Sequence, residues 1–273
     1  MAEPVVRAEG LTKRYGVVTV VDDVSFELAA GRTLAIVGES GAGKSTIAAM
    51  VTGLAAPTSG RIVVGGEDRS VPGRSARVRR RRGQQLQLVS QDPFTALDPR
   101  QPVGSVIAEA LAIAERAPKA TRAARAVELL EAVGLGARYA GAVPRALSGG
   151  QRQRVAIARA LAAEPAVIVL DEAVSALDVS VQAQVLNLLR DLQRETGTAF
   201  LFITHDLAVV RQIAHDVLVL ERGRVVEQGT VDRVLGAPQE AYTQVLLDST
   251  PRHGWRPRAR RPAAALATPA ASS

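Results

Sequence analysis

The sequence predicts an α/β protein: a mostly parallel sheet flanked by helices, with an N-terminal antiparallel β subdomain and an inserted α-helical subdomain. Three observations carry this. Apolar strand-length runs alternate with helical patterns from Gly149 to the turn at Arg222-Gly223, the order expected of βα units on a parallel sheet. The run Leu34-Ala35-Ile36-Val37 passes through a glycine loop into a helical pattern. Alternating strand-like text precedes that loop, and an alanine-rich stretch with helical spacing interrupts the middle of the chain.

From Val5 to Leu28 the residues alternate around Tyr15-Gly16 (VVRAEGL, then VVTVVDDVSFEL) and predict a small β-rich start. A short strand, Arg61 to Val64, follows the turn residues Pro57 to Gly60. The arginine cluster Arg74, Arg77 and Arg79 to Arg82 then leads into a strand, Gln85 to Ser90. Between Pro93 and Pro144 the spacing becomes helical, over Val103 to Arg116 and Lys119 to Val133, with Gly134 as a stop. There follow a helix (Gly149 to Ala163), a strand (Val167 to Leu170), a helix (Val179 to Arg194), a strand (Ala199 to Thr204) and a helix (Asp206 to Ala214). A hairpin (Val217 to Leu220, Val225 to Gln228) and a last helix (Gln239 to Leu247) complete the pattern. Residues 249–273 are rich in Pro, Ala, Arg and Ser and are expected to be a disordered basic tail. No internal repeat is visible, so a single copy of this α/β unit is expected.

Composition narrows the function classes. With 47% apolar and 22% charged residues the chain can bury a sizeable core. Zero cysteines exclude disulfides, Cys zinc sites and Cys-held iron–sulfur clusters. The start, MAEPVVRAEG, lacks the apolar core of a signal peptide, so export is not expected. No apolar run reaches the roughly 18 residues of a membrane span. The net charge is +7, but five arginines after Thr250 account for most of it, and removing them leaves +2 over residues 1–250. Aromatic residues are only 3%, too few for stacking on bases, and no nucleic-acid partner is expected.

The chemistry begins at Gly38-Glu39-Ser40-Gly41-Ala42-Gly43-Lys44-Ser45-Thr46, which fits G-x-x-x-x-G-K-[ST] between strand and helix. Gly38, Gly41 and Gly43 let backbone N–H groups approach a polyphosphate, with Ser40 and Thr46 in the same cradle. Lys44 adds a point charge near the terminal phosphates, and Ser45 offers a hydroxyl to Mg²⁺. The helix starting near Lys44 points its positive end at the anion. A nucleoside triphosphate is the expected ligand. Downstream, Val167 to Leu170 ends in Asp171 and Glu172, two carboxylates where a parallel sheet gathers its ligands. Asp171 suits Mg²⁺ or its waters, and Glu172 suits the base that polarises an attacking water. Ser148-Gly149-Gly150-Gln151 is a second glycine nest at a helix start, with Ser148 as its N-cap. A nucleotide in the first loop already has its phosphates covered, so the second nest suits another nucleotide and implies two chains facing each other.

Ser148 to Gln151 followed by the Asp171-Glu172 strand end resembles the signature of ATP-binding-cassette ATPases, whose fold is a P-loop NTPase core. The resemblance covers almost the whole chain, from about Val5 to Leu247, and places an ATPase domain at 1–248 with its helical subdomain at about 92–160. It implies two cassettes that sandwich two ATP molecules, each between the glycine loop of one subunit and the signature of the other. It further implies that Tyr15 stacks on adenine, that Gln91 senses Mg²⁺ and couples to a membrane subunit, and that Ser175 to Asp178 crosses the dimer interface. His205 resembles the switch histidine at the γ-phosphate. Gln91 to Arg100 and Ser175 to Leu189 resemble ATPases of dipeptide, oligopeptide and nickel importers. Asp98, Ala173, Ala241 and a short loop after Tyr15 depart from that branch, and none touches the phosphate chemistry.

The resemblance therefore implies an ATP- and Mg²⁺-dependent importer subunit on the cytoplasmic face of the membrane. Its partners would be two permeases, a second cassette (itself or a paralogue) and, indirectly, an extracytoplasmic binding protein. The rival reading is a soluble complex resembling those of phosphonate degradation.

Overall fold

Two twelve-residue strands open the fold, β1 (Pro4–Tyr15) and β2 (Val18–Ala29), paired antiparallel across a turn at residues 16–17. The computed structural model describes residues 3–92 and 97–249. Pro93 to Ala96, inside the stretch after Gln91, and the tail from residue 250 on lie outside the described residues. Alternation puts Val6, Ala8, Val24, Phe26 and Leu28 on the buried side of the β1–β2 pair. β3 (Thr33–Val37) is buried at every position, as a central strand covered on both faces must be. After α1 (Lys44–Thr52) come β4 (Ser59–Val64) and β5 (Glu67–Asp68), which complete an antiparallel sheet of order β2-β1-β4-β5.

All of the arginine cluster but Arg74 folds as α2 (Ala76–Gln85), where the sequence pattern led only towards a strand. None of its residues is buried, so it carries no apolar period for a sequence reading to detect. Ser75 caps it by accepting the Val78 N–H, Arg81 and Arg82 both reach Glu67, and Arg80 pairs with Glu115. After β6 (Leu86–Val89) the insertion supplies α3 (Val103–Ala114) and α4 (Arg122–Ala132). Tight 3₁₀ turns at Ala137–Tyr139 and Pro144–Ala146 then lead to α5 (Gly149–Leu161).

The remaining chain is β7 (Val167–Asp171), α6 (Val179–Thr196), β8 (Ala199–Ile203) and α7 (Leu207–Ile213). The hairpin β9 (Asp216–Glu221) and β10 (Arg224–Thr230) precedes α8 (Val231–Gly236), a short helix without a sequence signal, and α9 (Ala241–Ser249). The main sheet has the order β10-β9-β3-β8-β7-β6 and is parallel from β9 to β6, with β10 antiparallel at one edge. One core joins it to α1 and the antiparallel sheet through Leu11, Phe26, Ile47, Met50 and Leu201. Another packs the insertion, α5 and α6 through Ile107, Leu130, Ile157, Leu189 and Phe200.

Register matters most for function. Ile36 and Asp171 both pair with Ile203, and Val37 pairs with Val219. The carboxyl ends of β3, β8 and β7 are therefore level and adjacent, and the loops that leave them share one edge of the sheet.

Candidate active site

The glycine loop leaves β3 at that edge. Gly43 caps α1 with φ 103, and a Cβ there would meet the Val20 carbonyl oxygen at 2.7 Å, so β2 itself demands a glycine. Lys44 is 5% exposed, and its Nζ donates to the carbonyls of Gly38 (2.8 Å) and Glu39 (2.9 Å). Burial draws its ammonium below the ordinary lysine range, while Glu172 and then Asp171 pull the other way. The Tyr242 hydroxyl of α9 accepts the Glu39 N–H at 3.3 Å, a tie that the sequence alone does not signal.

Asp171 ends β7, and its Oδ1 accepts the Ser45 hydroxyl at 3.2 Å. Burial lifts its carboxyl above the ordinary range. The Ser45 hydrogen bond opposes this, the Glu172 charge adds to it, and Lys44 opposes it again. Glu172 has φ 48, a left-handed conformation uncommon for a side chain of this kind, and its N–H donates to Ile203 O at 2.9 Å. Its Oε1 lies 3.4 Å from His205 Nδ1. Ser175 supplies a link that no spacing in the sequence signals. Its hydroxyl donates to Glu172 O at 2.9 Å and accepts from Gln91 Nε2 at 3.4 Å.

Four of the expected residues have structural duties of their own. Asp178 caps α6, accepting the Val181 N–H at 2.9 Å and the Ser180 hydroxyl at 2.8 Å, and the Val181 bond foremost holds its carboxyl below the usual range. Ser148 and Gln151 form a full capping box on α5. A Cβ on Gly150 would meet Val181 Cγ1 at 2.3 Å, which makes this glycine a packing requirement between α5 and α6. Tyr15 is exposed at the hairpin tip, with the Lys13 ammonium 5.0 Å from its ring centre.

The site residues divide between clefts. Gly38, Ser40 and His205 line one of about 680 Å³, together with Leu246 and Ser249 of α9. Ser148, Gly150 and Gln151 line another of about 420 Å³, and Gln91 and Gly149 a third of about 370 Å³. The structure thus gathers Gly38 to Ser45, Asp171, Glu172 and His205, links Gln91 to them through Ser175, and sets Ser148, Gly150 and Gln151 on a separate cleft.

A glycine loop on β3, an Asp-Glu end on β7 and a serine-capped α5 on one α/β scaffold define an ABC-type ATPase. The chain belongs to the ABC transporter family, whose pattern matches residues 21–175. It is 46% identical over 262 residues to a probable peptide ABC transporter ATP-binding protein, y4tS of Sinorhizobium fredii, covering 92% of this chain and 74% of that one. It is 44% identical over 262 residues to the dipeptide transport ATP-binding protein DppF of Escherichia coli, covering 92% and 78%. Among solved structures it resembles the dimeric post-hydrolysis cassette MJ0796 bound to ADP and Pi, with TM-score 0.74, 29% identity, and 83% of this chain and 98% of that one covered. It also resembles cbiO1 of Clostridium perfringens, part of the transporter complex cbiONQ, with TM-score 0.78, 28% identity, and 86% and 92% covered. Among the described residues no helix is long and apolar enough to cross a membrane.

Proposed function

We propose that this chain is the ATP-hydrolysing subunit of a peptide importer, bound to two permeases at the cytoplasmic face and paired with a second cassette. One observation carries it: Lys44, Ser45, Asp171, Glu172 and His205 converge on one sheet edge, while Ser148, Gly150 and Gln151 line a different cleft. That is half of a site on each of two surfaces, as two facing chains require. The peptide relatives support the substrate class over nickel.

The residues fit Mg²⁺. Ser45 and Asp171 present hard oxygen donors side by side, with Gln91 held nearby through Ser175. Among the described residues no cluster of three or more acidic, His or Cys side chains could hold a metal unaided, which suits an ion whose other ligands are phosphates and waters. When bound, Mg²⁺ would neutralise charge on the phosphate oxygens.

In the reaction Lys44 turns from the loop carbonyls to the terminal phosphates. Tyr15 stacks on adenine, and the Glu172 carboxylate accepts the proton of the water attacking the γ-phosphorus. His205, within reach of Glu172, holds a γ-phosphate oxygen. The chain Gln91–Ser175–Glu172 connects the stretch after β6, read as the permease side, to that base. Glu172→Gln is expected to cut steady-state ATP turnover by roughly 10²- to 10⁴-fold while leaving ATP binding in place. Near-normal turnover in that variant would remove Glu172 from the role.

A further inference from the structure

Tyr139 lies outside both the glycine loop and the Ser148 to Gln151 signature, yet it is bonded to the latter. Its hydroxyl accepts from Gln151 Nε2 at 3.0 Å. The same amide's Oε1 accepts the Ser148 N–H at 2.9 Å, and the Gln151 N–H donates to Ser148 Oγ at 3.3 Å. The amide is thereby fixed in one orientation, and Ser148 Oγ spends a lone pair inside the cap while its own proton stays available to a ligand. Tyr139, Ser148 and Gln151 line the same cleft of about 420 Å³.

Tyr139 is itself held from the far side. Its N–H donates to Gly136 O at 3.0 Å, and its carbonyl accepts from Ala142 N–H at 2.9 Å. Helix α3 has no side-chain N-cap, and two of its first N–H groups are taken by this turn: Val103 donates to Ala142 O and Gly104 to Ala140 O, each at 2.9 Å. A Cβ on Gly104 would meet Ala140 O at 2.9 Å, so the turn and the helix start are in tight contact. The start of α3 is continuous with the Gln91 to Arg100 stretch. One hydrogen-bonded series therefore runs from the α3 start through the 137–142 turn and Tyr139 to Gln151 and Ser148.

We propose that Tyr139 is a positioning residue for ATP hydrolysis. Its hydroxyl fixes the Gln151 amide so that Ser148 presents its hydroxyl to the nucleotide of the facing subunit, and the 137–142 turn ties that geometry to the start of α3. This role rests on two chains facing each other across the nucleotide. Tyr139→Phe removes one oxygen and keeps the ring, so it isolates the hydrogen bond from the packing.

The test uses the full chain and three readouts: ATP affinity at limiting protein, KM against kcat for ATPase turnover, and ATP-dependent association of the Glu172→Gln variant with and without Tyr139→Phe. We expect unchanged ATP affinity at low protein concentration, where the glycine loop binds alone. We expect a KM roughly 3- to 10-fold higher, and ATP-driven association weakened to a similar degree, the size of one lost hydrogen bond. Gln151→Ala should produce the same shift, and the double variant should add little to it. Unchanged KM and association in Tyr139→Phe, or full additivity with Gln151→Ala, would overturn the positioning role while leaving the two-chain reading intact. Absence of ATP-driven association in Glu172→Gln with Tyr139 present would overturn the two-chain reading and this proposal with it.

Discussion

Asp171 is held at the sheet edge against its preference for ionisation. Burial and the neighbouring Glu172 raise its folded pKa above the unfolded value, so its contribution to stability is fully present below the ordinary carboxylate pKa and is lost as pH rises through the raised one. Asp171→Asn keeps an oxygen for the Ser45 hydroxyl and cannot ionise. In thermal scans without nucleotide, the variant is expected to melt roughly 1–4 °C higher near neutral pH, with the gain disappearing towards about pH 4. An equal gain at both ends would show that charge is not the cause. The same substitution should weaken Mg²⁺-dependent nucleotide binding, so stability and function pull apart at this residue. At this scale the sequence was highly legible. Lys44, Ser45, Asp171 and Glu172 sit at spacings dictated by one loop and one strand end. Ser175 was not legible as a link, because its two partners, Glu172 and Gln91, are 3 and 84 residues away and only the second contact gives it a bridging role.

Between elements, the packing of α5 on α6 decides how the signature is presented. Gly150→Ala would drive a methyl group into Val181, a β-branched side chain with little freedom to turn aside. Urea unfolding should show a loss of about 1–3 kcal/mol, largely restored by adding Val181→Ala. No recovery in the double variant would place the cost in the backbone of the cap rather than at the helix interface. The helices with apolar stripes, α3 to α6, were visible in the sequence to within a few residues. α2 was not, because ion pairs from Arg80, Arg81 and Arg82 and the Ser75 cap hold it in place of a buried face. Part of the arginine cluster is thus a clamp on Glu67 and Glu115.

For the molecule as a whole, the proposal places this chain beneath membrane permeases. Affinity purification of the full chain from its native membranes should bring down two polytopic membrane proteins and a second ATPase. Recovery with soluble enzymes alone would overturn the importer reading in favour of a soluble complex. Residue order was enough to point to the chemistry that fits within a few consecutive positions: the phosphate loop, the acidic strand end, the Ser148 cap and the family pattern. Each depends on spacing along one turn, strand or helix, which the chain encodes directly. Which of these groups meet is set by the folded arrangement alone. β7 lies beside β8, so Glu172 reaches His205 and binds the backbone of Ile203, and Tyr242 closes on Glu39 across 203 residues. Strand order and register set those distances through the packing of both sheet faces at once, and no local periodicity carries that information.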